Sequence, residues 1–236
     1  MFRNRLISRF SKDDILALAP HMHEVSLGKD ETIIQAGAPV TTLYFPSTAV
    51  ISEVVVLSDG RMVETDTVGF EGVVGLMAVL TDTPQLTRSF AQIGGSAMAI
   101  DAKVLKERTL AGSHLFTLMM RGLLLVHLQS QQSAACLAHH VLPRRMARWL
   151  LATADRTGTA SFPLTQEYLS FMLGTQRTTV NAAAADLKQR GVIRYTRGNV
   201  TILDRAGLAE QACECYRTIR EIEEEIDGAP IRAFAG

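Results

Sequence analysis

Hydrophobic side chains recur with helical spacing in the stretch LTQEYLSFMLGTQRTTVNAAAADLKQRGVI, but the pattern is interrupted at residues 174–179. A period of 3.6 residues aligns the apolar positions on one face before the interruption and on one face after it. These positions are Leu169, Met172, Leu173, Val180, Ala184 and Leu187. The pattern predicts two short amphipathic helices that share one core.

The interruption itself has the composition of a tight turn. Gly174 can adopt the positive φ that a reversal of direction requires, and Thr175 is predicted to cap the second helix through its hydroxyl. Ser170 is small enough for the two helices to cross closely, and Gly191 is predicted to end the second one. The result is a helix-turn-helix corner, which occurs in DNA-binding domains and also as ordinary packing of two helices.

Polar side chains that can bond to bases and phosphates cluster where a recognition helix would meet the major groove. The stretch VIRYTRGNVTIL then predicts a hairpin with a basic tip, which would form a wing. The candidate DNA-binding residues are Gln176, Arg177, Thr178, Thr179, Asn181, Lys188 and Arg197.

The N-terminal pattern is typical of β structure. Short apolar runs such as TTLYF and VISEVVVL alternate with turn signals, and Asp59 with Gly60 joins two of these runs as in a hairpin. We therefore expect a small barrel or roll. The glycines of VGFEGVVGL, at 69, 72 and 75, suit either an anion site built from backbone N–H groups or tight corners of the roll.

A long helix is predicted from residue 113 to about 138. Its seam is apolar in the first half and polar in the second: Phe116, Met119, Leu123, Val126, Ser130, Ser133 and Leu137. Such a seam favours a parallel helix pair, although the same face also suits packing on the roll. Pro143 should end the helix and leave a hinge before RRMARWLLATA resumes as helix.

These elements predict an α+β chain of three parts. A β-roll sensor domain spans residues 1–111, and a dimerisation helix with its hinge spans 112–140. A winged helix-turn-helix DNA-binding domain with a C-terminal helix spans 141–236.

Charge supports nucleic-acid binding only when it is divided along the chain. The 236 residues carry 24 basic and 24 acidic side chains, yet residues 140–205 hold ten basic and four acidic ones. This local excess falls on the helix-turn-helix, where it would attract phosphates. The run HLFTLMMRGLLLVHL is a poor membrane span and the N-terminus has no signal-peptide pattern, so we expect a cytoplasmic protein.

Three cysteines, Cys136, Cys213 and Cys215, have no metal-ligand spacing in the sequence. Because Cys213 and Cys215 are two residues apart, a helix would direct them to different faces, and ordinary reduced thiols are expected. No metal or cofactor is predicted. No nucleophile elbow, P-loop, paired-carboxylate motif or zinc signature is present, so an enzyme is not expected.

The order of these parts resembles the CRP/FNR family of bacterial transcription regulators. RRMARWLL and LTQEYLSFMLGTQRTTV carry the resemblance most strongly, together with YFPSTAVISEVVVLSDGRMVETDTVGFEGVVGL in the roll. The resemblance implies a β-roll of the cupin-like, cyclic-nucleotide-binding type and a homodimer that binds a palindromic DNA site. It also implies a contact with RNA polymerase or a block to it.

Carried over to this sequence, the resemblance gives Arg177 the role of reading guanine. Thr178 and Ala182 stand where a cAMP-dependent member has a glutamate and a second arginine, so the operator should differ. Family members with an oxygen-sensitive iron–sulfur cluster use several N-terminal cysteines, whereas this chain has none before Cys136.

The family's nucleotide signature is altered in the roll. The glutamate that binds ribose is replaced by Val73, and an Arg-Ser pair follows further away than usual. The resemblance therefore implies a remodelled pocket that does not use cAMP, and the effector is unknown. Its possible residues are Glu71, Gly72, Val73, Arg88, Ser89, Ser130 and Gln131.

One alternative remains open, a small-molecule or haem sensor module in which DNA binding is secondary. Four histidines are its candidate ligands, although a single histidine on a helix is more often an ordinary surface or core residue. They are His21, His23, His114 and His127.

Overall fold

The computed structural model describes residues 3–110, 112–196 and 198–228. Within these ranges, no helix combines the length and hydropathy that a membrane crossing requires. The N-terminal elements are α1 (Lys12–Leu18), β1 (Met22–Leu27), β2 (Thr32–Ile34), β3 (Thr42–Pro46), β4 (Val50–Val56), β5 (Met62–Val68), α2 (Met77–Leu80), β6 (Arg88–Ile93), β7 (Gly95–Asp101) and α3 (Ala102–Arg108).

The strands form two antiparallel sheets, in the orders β1-β7-β3 and β2-β6-β4-β5. Gly60, with φ of +82°, turns the chain from β4 into β5, where the sequence predicts a hairpin. Leu43, Phe45 and Ile100 are fully buried between the roll and its covering helices. The predicted α+β fold with an N-terminal roll is confirmed.

Helix α4 (His114–His139) joins the roll to the rest of the chain. Ser113 caps it by accepting a hydrogen bond from the Phe116 N–H at 3.0 Å. The helix ends at His139 because His140 adopts an extended backbone, with φ of −103° and ψ of 137°. Helix α5 (Leu142–Thr157) begins immediately after this break, with Pro143 in its first turn, where the missing N–H of proline has no cost.

The remaining elements are β8 (Ser161–Pro163), α6 (Gln166–Met172), α7 (Arg177–Gln189), β9 (Ile193–Thr196), β10 (Asn199–Ile202), α8 (Arg205–Gln211) and α9 (Cys215–Gly228). Strands β8, β10 and β9 form a small antiparallel sheet beside α6 and α7. All six apolar residues that the helical period aligns are buried in one core with Trp149 and Leu150 of α5. Gly174 has φ of +58°, as the turn requires. These elements form the predicted winged helix-turn-helix.

The N-cap of α7 differs from the prediction. It is Gln176, with an extended backbone, whereas Thr175 belongs to the turn and donates its N–H to the Ser170 carbonyl at 2.9 Å. The prediction of Thr175 as the cap was wrong because the turn takes one residue more than the spacing indicates.

The C-terminal core also packs against the roll. Val54 and Phe90 of the roll belong to the same buried cluster as the helix-turn-helix, and the Phe90 and Tyr168 rings meet edge to face at 6.0 Å. The Tyr168 hydroxyl is hydrogen-bonded to Ser52 at 3.1 Å, and the Trp149 indole donates to Glu64 at 2.6 Å. This contact fixes where the recognition helix lies relative to the roll.

Candidate nucleic-acid interface and effector pocket

Helix α7 directs its apolar side into the core and its polar side to solvent. Val180, Ala183 and Leu187 are buried. Six predicted DNA-binding residues are exposed on this element: Gln176, Arg177, Thr178, Thr179, Asn181 and Lys188. The seventh, Arg197, lies outside the described residues. Each of these six side chains is therefore accessible to solvent.

The start of α7 is also open to an anion. The Gln176 side chain forms no cap hydrogen bond, so the N–H groups of the first turn are not occupied by a side chain. Uncapped N–H groups at a helix start carry the positive end of the helix dipole and donate readily to phosphate. This geometry suits a helix that enters the major groove by its N-terminus.

A groove of about 540 Å³ separates the helix-turn-helix from the wing. Its walls include Thr165, Glu167, Arg177 and Gly198. Two hydrogen bonds fix the wing against the start of α6. The Tyr195 hydroxyl donates to the Leu164 carbonyl at 2.8 Å, and the Leu164 N–H donates to the Gly198 carbonyl at 2.7 Å.

Glu71, one of the seven predicted pocket residues, is already paired. Its carboxylate accepts hydrogen bonds from Arg156 Nε at 2.8 Å and from the Gly69 N–H at 2.9 Å, and both charged side chains are about nine-tenths buried. A Cβ at Gly69 would lie 2.7 Å from Glu71 Oε2 and 2.8 Å from Arg156 Cγ. The glycine is therefore required by this close approach, which favours the tight-corner interpretation of the Gly-rich stretch over an anion site.

Arg88 and Ser89 are also engaged within the roll. Arg88 donates to Thr32 Oγ1 at 2.8 Å and lies over the Phe90 ring. The fully buried Ser89 hydroxyl donates to Glu53 at 3.3 Å, and burial raises the pKa of Glu53. Ser89 thus faces a carboxyl group, which would repel a phosphate whenever it ionises.

The other predicted pocket residues have separate environments. Val73 is buried in the apolar core of the roll, and Gly72 accepts a hydrogen bond from the Asn4 amide through its carbonyl at 2.9 Å. Ser130 is half-buried on α4, and Gln131 is exposed. A cavity of about 320 Å³ lies between β5, α4, α5 and α9, and Glu71 is the one residue of the predicted set in its lining.

Sequence reasoning did not anticipate the charged walls of this cavity. Glu64, Asp66, Arg148 and Arg156 all line it. Burial raises the pKa of both Glu64 and Asp66. Oδ2 of Asp66 is buried without a hydrogen-bond partner among the described residues. Neither the hydrophobic pattern nor the family motifs point to this site, because β5 is distant in sequence from the three helices that complete its lining.

The predicted dimer residues are buried to different extents along α4. Met119 is fully buried in the core of its own roll, so it cannot also face a partner, and Leu123 packs against the same core. Phe116 and Val126 are half-buried. A neighbouring row of α4 residues, shifted by one position from the predicted seam, is more exposed. Its members are three or four residues apart: Met120, Leu124, His127, Gln131, Ala134 and Ala138. We call this set the α4 ridge.

The three cysteines lie together, contrary to the sequence prediction. Cys213 precedes α9 and Cys215 begins it, so the two do not lie on successive turns of one helix. Both approach Cys136 and His140 at the end of α4. Among the described residues, this is the one cluster of three or more possible metal ligands, and none of His21, His23, His114 and His127 belongs to it.

Comparisons with known proteins agree with this architecture. A family model described as a Crp-like helix-turn-helix domain matches residues 144–211. A CRP-like cAMP-activated global transcriptional regulator from Mycobacterium tuberculosis is 26% identical over 205 residues, which cover 84% of this chain and 92% of that protein.

Two solved structures share the fold. A transcriptional regulator of the CRP/FNR family from Eubacterium rectale superposes with a TM-score of 0.70 at 16% identity, covering 87% of this chain and 96% of that one. FixK2 from Bradyrhizobium japonicum gives a TM-score of 0.69 at 20% identity, covering 81% and 98%. The relatives are regulators, in agreement with the expectation that this chain is not an enzyme. Residues 144–211 thus match a Crp-like helix-turn-helix domain, and the chain as a whole shares the fold of solved CRP/FNR regulators.

Proposed function

We propose that this chain is a homodimeric, sequence-specific DNA-binding regulator of transcription that acts in the cytoplasm. The observation that carries the proposal is the exposed polar side of α7, which begins with an uncapped turn and contains Arg177. Between its polar residues stand Ala182 and Ala185, both exposed and short enough to let the helix approach base edges closely.

Each part of this surface has a role in the proposed complex. Arg177 donates two hydrogen bonds to guanine O6 and N7, while Gln176, Thr178, Thr179 and Asn181 bond to neighbouring bases and phosphates. Lys188 and Arg197 contact phosphates, which positions the domain without reading sequence. A two-fold dimer presents two such helices, so the operator is a palindrome, and RNA polymerase is a further partner at promoters.

Replacing Arg177 by alanine should weaken specific binding by about 1–3 kcal/mol per half-site and relax preference at one base pair. Selection of bound sequences from a random DNA pool defines the operator first. Binding isotherms on that operator and on scrambled DNA then measure specific and non-specific affinity for each variant.

Arg190 provides the matched control for Arg177. It lies at the other end of α7, is half exposed and pairs with Asp186 at 3.0 Å. Arg190→Ala removes the same charge but should leave base preference unchanged. An equal loss of specific and non-specific binding in Arg177→Ala would remove Arg177 from the base-reading role.

We propose that this regulator does not depend on cAMP, unlike its relative from Mycobacterium tuberculosis, whose name describes it as cAMP-activated. Val73 is buried in the roll core, Glu71 is paired with Arg156, and Ser89 faces Glu53. A ribose hydroxyl would therefore lack a free carboxylate acceptor. Leaving it unpaired costs about 1–3 kcal/mol, which is roughly a ten- to hundredfold loss of affinity.

The cAMP prediction can be tested with a pair of ligands that differ in one atom. Titration calorimetry should show cAMP and its 2′-deoxy analogue binding equally weakly, with no effect of cAMP or cGMP on operator affinity. If cAMP binds more than about tenfold tighter than its deoxy analogue, the roll has a ribose acceptor and the prediction is wrong.

A further inference from the structure

The end of α4 and the start of α9 bring four metal-binding side chains into one cluster. Cys136 Sγ lies 3.5 Å from Cys213 Sγ, and Cys215 Sγ lies 3.5 Å from His140 Nδ1. One ligand atom from each of the four residues lies within 4.8 Å of the other three. These are the only three cysteines in the chain, and the segments that carry them are 77 residues apart.

The spacing of these atoms suits tetrahedral coordination. With zinc–sulfur bonds of about 2.3 Å and a zinc–nitrogen bond of about 2.0–2.1 Å, neighbouring ligand atoms are roughly 3.6–3.8 Å apart. The two 3.5 Å contacts are already close to that value. Because no two ligand atoms are more than 4.8 Å apart, the side chains need to move by about 1 Å or less to reach it. A closed Cys₃His set is typical of structural zinc sites.

Neighbouring groups orient the ligands as they do in known metal sites. The other ring nitrogen of His140, Nε2, lies 3.0 Å from Glu214 Oε1, so a proton on Nε2 leaves the Nδ1 lone pair directed at the thiols. Gln132 donates from Nε2 to Cys215 Sγ at 3.0 Å, as amide donors do to metal-bound thiolates. A pair of thiols alone would need neither partner.

The local charge also suits a bound divalent ion. Three thiolates, a neutral imidazole and a divalent cation carry one net negative charge, which buried surroundings tolerate only with a positive neighbour. Arg148 lies near enough to Cys136 for an electrostatic interaction between them, and its buried Nε–H has no acceptor among the described residues. The cluster thus lies beside the positive charge of Arg148, whose Nε–H forms no hydrogen bond among the described residues.

We propose that Cys136, His140, Cys213 and Cys215 form a Cys₃His site for zinc or a similar thiolate-preferring divalent metal. Two ligands end α4 and two precede or begin α9, so the metal fastens the C-terminal helix to the dimerisation helix beside the break at residues 140–141. A disulfide between Cys136 and Cys213 would explain neither the third thiol nor the orientation of His140.

The proposed metal has a structural consequence for the DNA-binding domain. Helix α5 starts at Leu142, directly after His140, and leads into the helix-turn-helix. A metal that holds His140 therefore restricts the angle between α4 and this domain, which sets the distance between the two recognition helices in a dimer. Operator affinity should fall when the metal is removed.

The test uses the full chain, freed of metal by a chelator and kept reduced, and titrated with cobalt(II) as a spectroscopic substitute for zinc. One equivalent should give thiolate-to-cobalt charge-transfer bands and the intense visible bands of tetrahedral coordination, and zinc should displace it. Protein purified with zinc present should contain one zinc per chain by elemental analysis.

Two adjacent histidines give a matched pair of variants. Glu214→Gln removes a group that only hydrogen-bonds a ligand, so it should weaken cobalt binding by roughly 10- to 100-fold. His140→Ala removes a ligand and should weaken cobalt binding by more than that. His139 is exposed and is not a proposed ligand, so His139→Ala should bind cobalt as the parent does. Circular dichroism verifies that each variant is folded.

Three outcomes would overturn the proposal. The first is the absence of tetrahedral cobalt bands in the reduced parent protein, which does not depend on any variant. The second is equal cobalt affinity in His139→Ala and His140→Ala. The third is reduced protein that binds no metal and forms a Cys136–Cys213 disulfide on exposure to air, seen as a two-dalton loss of mass. Because metal binding is measured without DNA, these results are independent of the proposed regulatory function.

Discussion

Replacing Leu124 by glutamate is expected to dissociate the proposed homodimer into monomers. Leu124 is 46% exposed within one chain and lies in the apolar first part of the α4 ridge, whose residues are three and four apart. In a parallel helix pair, a residue at such a position meets its own symmetry mate. Two glutamates would face each other across the two-fold axis, which costs several kcal/mol.

The loss of the dimer should also abolish operator binding. A monomer presents one recognition helix, so affinity for the palindrome should fall toward the non-specific level, roughly 10³-fold or more. Light scattering coupled to size exclusion measures the mass, and a binding isotherm on the selected operator measures the affinity. The monomer itself should stay folded, with the helix content of the parent by circular dichroism, because the glutamate lies on a face that is exposed within one chain.

Leu86→Glu is the matched control for Leu124→Glu. Leu86 is 86% exposed and lies in the segment before β6, away from α4, so the same substitution there should leave the dimer intact. Leu123 is less suitable as a test site because it packs against its own roll core, and a charge there would also disturb the fold. If Leu124→Glu remains dimeric, the partner contacts another face of α4 or another element.

Local patterns predicted the helix-turn-helix because its signals are encoded within one short stretch. Val180, Ala184 and Leu187 recur at helical spacing, and Gly174 supplies the positive φ of the turn. Periodicity also placed α4, but it could not choose between neighbouring faces in the first half of the helix, where apolar residues occupy most positions. Met119 therefore fitted the predicted seam although the structure buries it in the roll.

The remaining features depend on contacts between distant residues. Glu71 and Arg156 are 85 residues apart, and Cys136 and Cys213 are 77 apart. No local period records such pairs, so the sequence placed Glu71 in the effector pocket without its partner Arg156 and directed Cys213 and Cys215 to different faces of a helix. The cysteine prediction failed for a further reason, since it placed Cys213 inside a helix that begins only at Cys215.

Replacing Arg156 by methionine is expected to destabilise the chain by about 3–5 kcal/mol. Arg156 is about nine-tenths buried and contacts Glu71 of the roll at 2.8 Å and Glu223 of α9 at 3.8 Å. Its loss leaves the buried Glu71 carboxylate without its cation, and desolvation of that charge is then uncompensated. Urea unfolding of parent and variant at neutral pH measures the difference.

Two further variants separate this charge effect from simple loss of packing. In the double variant Arg156→Met with Glu71→Met, no buried charge remains in the pair, so most of the lost stability should return. Arg190→Met breaks an exposed pair of similar length, 3.0 Å, and should cost only about 0.3–0.5 kcal/mol. If the double variant is as unstable as Arg156→Met, Arg156 stabilises the chain through the packing of its hydrocarbon stem against Gly69 and not through its charge. In that case the buried ion pair does not hold the roll to the DNA-binding domain.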